Sequence, residues 1–203
     1  MALTVAKLQP KTQVPEGIYY ACCIQIIDLG TQYTEFKNEG KWQAKFKLVF
    51  EILGYQDQET EAFAEYINPD TQKHKTIAKT FSPSFYNESN LKVFLRGWNG
   101  RELTTKEEEG FNAGDLLGRF GKLQIIRKPK KADPTSSYEL LNSIMSCSKT
   151  ETARLEKQNL HHPMFIYDMD ADGFKFPDKM TDFAVEEIKK SQEYETYLAN
   201  QAK

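Results

Sequence analysis

Residues 41–53 of this chain read KWQAKFKLVFEIL, so Trp42, Ala44, Phe46, Leu48, Phe50 and Ile52 share one face while Lys41, Gln43, Lys45 and Lys47 share the other. Successive side chains of a strand point to opposite sides of a sheet, and a helix does not reproduce this alternation over such a length. The segment is therefore expected to be a strand with a buried aromatic face and a basic outer face, and the rest of the chain must supply its neighbours. Residues 18–29, opened by a turn at Pro15, Glu16 and Gly17 and rich in Tyr, Cys and Ile, form a first strand that Gly30 ends. Residues 31–40 place Tyr33 and Phe36 among polar residues and read as a loop or hairpin with two exposed rings. After an irregular acidic stretch over 54–70, residues 73–82 form a third strand with Lys73, Lys75, Ile77, Lys79 and Phe81 on one side.

A helix comes next. Asn87 or Ser89 caps it, Leu91, Phe94, Leu95 and Trp98 recur at helical spacing, and Gly97 and Gly100 mark its end. A shorter helical piece spans 105–117. Residues 119–128 and 138–147 are the fourth and fifth strands, joined by a Pro-rich basic linker. Three strands, a helix and two strands is the order of the five-stranded Greek-key barrel known as the OB-fold. An α+β sandwich has the same order, because strand pairing is not visible in a sequence. The expected fold class is thus mainly β, an OB-fold-like barrel over residues 1–148 with its helix between strands three and four. A partly helical or flexible C-terminal extension follows over residues 149–203.

Charge matters locally, since 27 basic and 29 acidic residues give a net charge of −2. Between residues 119 and 131 lie Arg119, Lys122, Arg127, Lys128, Lys130 and Lys131 with no acid among them. In an OB-fold, strands two and three floor the ligand groove and the loops 1–2 and 4–5 flank it. Those places here hold Tyr33 and Phe36, then Lys41, Lys45 and Lys47, then Lys73, Lys75, Lys79 and Phe81, then Arg127, Lys128, Lys130 and Lys131. Lysines and arginines neutralise phosphates, and aromatic rings stack on bases. The plain alternative for each lysine is surface solubility.

Catalytic and metal signatures are weak. The run Asp168, Asp170, Asp172, Gly173 opens like a calcium loop, but Lys179 stands where the bidentate Glu belongs, so a plain acidic turn is expected. His161 and His162 are adjacent, no Cys or His lies at zinc spacing, and His74 stands in no recognisable motif, so neither a metal centre nor a cofactor is expected. Cys22, Cys23 and Cys147 read as reduced, buried thiols in strands. With no long apolar run, neither secretion nor a membrane span is expected, and the anticipated location is the cytoplasm.

Residues 26–32 (IIDLGTQ), 45–51 (KFKLVFE) and 90–101 (NLKVFLRGWNGR), with Gly110, Phe111, Leu116, Leu117 and Gly118, resemble the single-stranded DNA-binding proteins of tailed bacteriophages. The resemblance covers about residues 1–148. It implies an OB-fold that coats single-stranded DNA with little sequence preference during phage DNA replication or recombination in a bacterial host. Phage or host replication proteins, or a second copy of the chain in a homo-oligomer, are further partners. Many such proteins end in an acidic tail with an apolar tip, whereas this chain ends Asn200, Gln201, Ala202, Lys203, which leaves the extension to pack on the barrel or mediate self-association. The alternative function is a non-catalytic protein-interaction module of a phage or mobile element, working through that extension.

Overall fold

The computed structural model of the chain describes residues 12–36 and 39–201. The alternating segment lies in β2 (Glu39–Gln56), which runs antiparallel to β1 (Gly17–Phe36) along a shared ladder. Both strands are longer than expected. Residues 31–36, 39 and 40, expected as a loop or hairpin, are hydrogen-bonded strand, because backbone pairing needs no apolar side chains. On the far edge of β2 sit β3 (Phe63–Glu65) at residues 54–56 and β4 (Lys75–Phe81) at residues 46–52. On the far edge of β1 sit β5 (Phe120–Pro129) at residues 17–22, with β6 (Ser137–Met145) beyond it, and then β7 (Phe165–Tyr167) at residues 25–27. The protein is mainly β, a seven-stranded open sheet in which every pairing but β1–β7 is antiparallel.

One face of the sheet carries the expected core. Phe46, Leu48, Phe50 and Ile52 point into it, together with Ile77 and Phe81 of β4, beneath Leu91, Phe94, Leu95 and Trp98 of α1 (Asn90–Asn99). The Ser89 hydroxyl accepts the Lys92 amide, and Gly100 ends the helix in the left-handed region at φ 68°. Gly97 does not end it. There α1 crosses β6 so closely that a Cβ would stand 2.4 Å from the Ile144 carbonyl oxygen. Trp98 is 2% exposed, with its indole N–H donated to the Phe120 carbonyl at 2.7 Å, so it is a core residue with its polar atom satisfied. The helical piece expected over 105–117 divides at Gly110 into α2 (Thr105–Glu109) and a 3₁₀ turn (Ala113–Leu116).

The other face is covered by the C-terminal extension. It folds as α3 (Lys149–Leu155), β7, α4 (Met169–Asp172), α5 (Asp182–Ile188) and α6 (Gln192–Gln201). Leu155, Phe165, Tyr167, Met180 and Ile188 form a second core with Cys22, Ile24, Ile27 and Leu29 of β1 and Val49 and Leu53 of β2. Burying each such side chain is worth about 1.5–3 kcal/mol, so this layer is structural and not an appendage resting on a finished domain. The Asp168 carboxylate accepts the amides of Asp170 and Ala171, and Asp172 accepts the Asp168 amide, so two of the three acids cap a helical turn.

β4 and β6 form no ladder with each other among the described residues, so backbone pairing does not close the expected barrel. Two lysines span the gap. Lys75 Nζ donates to Glu139 Oε1 at 2.5 Å and to the Thr12 carbonyl at 2.7 Å, and Lys79 Nζ donates to the carbonyls of Leu141 and Asn142 at 2.9 Å each. Consecutive carbonyls of a regular strand point opposite ways. Here the register skips Asn142, and that bulge turns both toward one ammonium. No helix among the described residues is long and apolar enough to cross a membrane.

Candidate nucleic-acid interface

The cationic residues singled out in the sequence divide into those engaged with other groups and those free in solvent. Lys47 is engaged: its ammonium lies against Glu187 of α5 and 4.8 Å from the Phe183 ring centre, and its side chain is 8% exposed. Burial lowers its pKa, while the carboxylate and the ring hold the charge in place. A phosphate cannot reach it without displacing α5. Lys75 and Lys79 bridge to β6, and burial, then the field of Lys128, lowers the pKa of Lys79. Lys45 donates to Ser82 Oγ at 2.7 Å, its pKa lowered by partial burial and by Lys41.

In the basic run, Lys122 pairs with Glu151 at 3.2 Å. Burial raises the pKa of that carboxyl, but bonds from the Ser148 amide and hydroxyl, the Tyr20 hydroxyl and Lys122 outweigh it and hold it down at about 2. Arg119 stacks 4.7 Å from the Trp98 ring centre and donates to Asn99 Oδ1. Phe81, expected to stack on bases, is 2% exposed between Phe46 and Phe94, because its side of β4 faces the core. Lys47 and Phe81 are therefore removed from the expected contact set, and Lys75, Lys79 and Lys122 are structural cations.

Lys41, Lys73, Arg127, Lys128, Lys130 and Lys131 are all exposed, and none forms an ion pair among the described residues. Lys41 is on the β1–β2 ribbon, Lys73 precedes β4, and the other four lie at the β5–β6 hairpin. Each hairpin also exposes rings. Tyr33 and Trp42 are direct cross-strand partners, 57% and 45% exposed, with ring centres 5.4 Å apart in a T-shaped pair. The Tyr33 ring lies so close over the ribbon that a Cβ on Gly40 would stand 1.7 Å from its hydroxyl, so any larger residue there would displace the ring. Tyr138, 42% exposed, is paired with Lys128. The Phe36 side chain lies outside the described residues.

Sequence reasoning missed Trp42 and Tyr138. Trp42 shares the face of the core residues but lies beyond the cover of α1, and the polar stretch on either side of it is the signal. Tyr138 was visible as a ring opening the strand after a basic linker. The two hairpins adjoin β1 near its opposite ends. β5 pairs with the start of β1 and Tyr33 lies near its end, so roughly 50 Å of strand separates them at about 3.3 Å per residue.

A second cluster was also missed. His74, His161 and His162 meet at Glu51, which has no solvent exposure, with Glu65 beside His74. The cysteines are unsuited to nucleophilic work: burial, then the charge of Glu51, pushes Cys22 up to about 12, and burial pushes Cys147 up to about 11. No protein-family model matches the chain, and no curated protein matches it either.

Proposed function

We propose that this protein binds single-stranded nucleic acid without catalysing a reaction on it, in the manner of the phage single-stranded DNA-binding proteins it resembles. The observation that carries the proposal is the coincidence of free cations with exposed rings. Of the six free cations among those singled out in the sequence, five lie on the same two hairpins that expose Tyr33, Trp42 and Tyr138, while the singled-out cations over the body of the sheet are engaged. In this reading Tyr33 and Trp42 stack on bases beside Lys41, and Arg127, Lys128, Lys130 and Lys131 hold phosphates at the far end of the sheet. The strand sequence β4-β2-β1-β5-β6, with α1 between β4 and β5, is consistent with an OB-type Greek key whose seam is bridged by Lys75 and Lys79. The role that follows is coating of single strands in phage DNA replication or recombination.

The test is fluorescence anisotropy of a labelled oligothymidine at two salt concentrations, beside the matching duplex. Salt-sensitive binding to the single strand alone is the expected result, and no binding at low salt overturns the proposal. A second reading, a protein partner on the extension, is favoured by Phe183, 70% exposed on α5, and Leu198, 51% exposed on α6. Deleting residues 149–203 does not separate the two readings, because the deletion removes half of the second core. Phe183→Ser does separate them: it leaves oligonucleotide affinity unchanged in the first reading and abolishes partner binding in the second.

A further inference from the structure

All three histidines of the chain converge on one buried carboxylate. Glu51 accepts His74 Nδ1 at 2.7 Å, the backbone amides of His161 and His162 at 2.6 and 2.9 Å, and His162 Nδ1 at 2.9 Å. Four donors fill its two oxygens, so the hydrogen on His74 Nδ1 is committed to Glu51 and a neutral ring carries its lone pair on Nε2. That nitrogen, in a side chain 1% exposed, faces Glu65 Oε1 at 2.9 Å. Two electron-pair donors at that separation require a cation between them. A proton serves two donors, whereas a metal ion serves three, and a ring nitrogen of His161 is the third: one ligand atom from each of Glu65, His74 and His161 lies within 4.8 Å of the others.

We propose that Glu65, His74 and His161 bind a zinc-class divalent cation, with Glu51 as the buried carboxylate that fixes the tautomer and orientation of His74. Two imidazoles and one carboxylate favour this class over calcium or magnesium, and leave a fourth position for water. Glu65 and His161 are exposed and give the ion an entry route. Loading asks for one adjustment. The rings of His74 and His161 are stacked 4.0 Å apart at 14°, with His161 Nδ1 accepting the His74 amide, so the exposed His161 ring must turn out of the stack while His74 stays in place. The bound ion joins β3 and the start of β4 to the segment that leads into β7, tying the extension to the sheet.

The experiment uses the full chain, stripped with a chelator, titrated calorimetrically with zinc and followed by thermal unfolding, without oligonucleotide, so its result is independent of nucleic-acid binding. One zinc per chain and a raised Tm are expected. Glu65→Gln and His161→Ala, both at exposed positions, each weaken binding at least about tenfold and remove the Tm increase, each read against its own metal-free Tm. Absence of zinc binding to the unaltered chain, or equal binding by all three proteins, overturns the site.

Discussion

From Glu39 to Lys45 the side chains of β2 are exposed or half-covered, whereas from Phe46 to Gly54 every one is buried on whichever face it points to. The change occurs within one unbroken strand, and Lys45 and Lys47 stand on either side of it. Lys45 lies at the margin with a hydroxyl for a partner, while Lys47 is under α5 with a carboxylate and a ring. Whether a lysine on this sheet can meet a phosphate is thus decided by the layer covering it and not by its place in the alternation. Where cover ends, the same ribbon presents Tyr33 and Trp42 to solvent.

The comparison breaks first if the two cores are not equals. Trp98→Ala on one face should cost about 3–5 kcal/mol, and Ile188→Ala on the other about 2–5 kcal/mol, in urea unfolding. A cost below about 0.5 kcal/mol for Ile188→Ala would show that the extension is not part of the cooperative unit. On the free ribbon the effects should reverse. Tyr33→Ala and Trp42→Ala should each leave stability within about 0.5 kcal/mol while weakening single-strand binding by about 1–3 kcal/mol per base unstacked. Smaller still, Lys128, Lys130 and Lys131 changed together to Ala should flatten the salt dependence of binding by up to roughly 0.7 per lost phosphate contact, whereas Lys47→Ala should leave that slope unchanged and lower stability.

The smallest effect concerns Glu151, which links α3 to Lys122 and Tyr20. Its folded pKa, about 2, lies below the ordinary 4.5, so its contribution to stability is fully present above 4.5 and is lost as pH falls toward 2. The gap in urea midpoint between the unaltered chain and Glu151→Gln should therefore narrow between pH ~5 and ~3. A gap that does not change with pH would place the stabilising role of Glu151 elsewhere than in its charge.

The five longer strands, α1 and its Ser89 cap were legible because each rests on local periodicity or a single capping residue, whereas the three-residue β3 and β7 are too short to show any. The second core was only half legible. Residues 48–53 are apolar but for Glu51, the mark of a strand buried on both faces, yet what covers the second face lies some 100 residues further along and leaves no local trace. The histidine cluster was hidden for the same reason: its members stand 23 and 111 residues from Glu51, so no spacing motif exists to find. Of the cations, sequence placed four at the β5–β6 hairpin, where they are exposed, but could not tell a free ammonium from a paired one. Lys122 is paired because α3 brings Glu151 to it, whereas Lys128 has no ion-pair partner among the described residues.

The seam between β4 and β6 bears on edge-to-edge contact between copies of the chain. Among the described residues both strands offer an unpaired edge, and such an edge is a template for a strand from another molecule. Lys79 ties up two carbonyls of β6 and Lys75 holds Glu139 beside them, so an incoming strand meets ammonium groups where it needs free acceptors. In the proposed role, where copies would crowd along one strand, a seam left to side chains disfavours fusion of neighbouring sheets, because another copy's backbone cannot imitate an ammonium group.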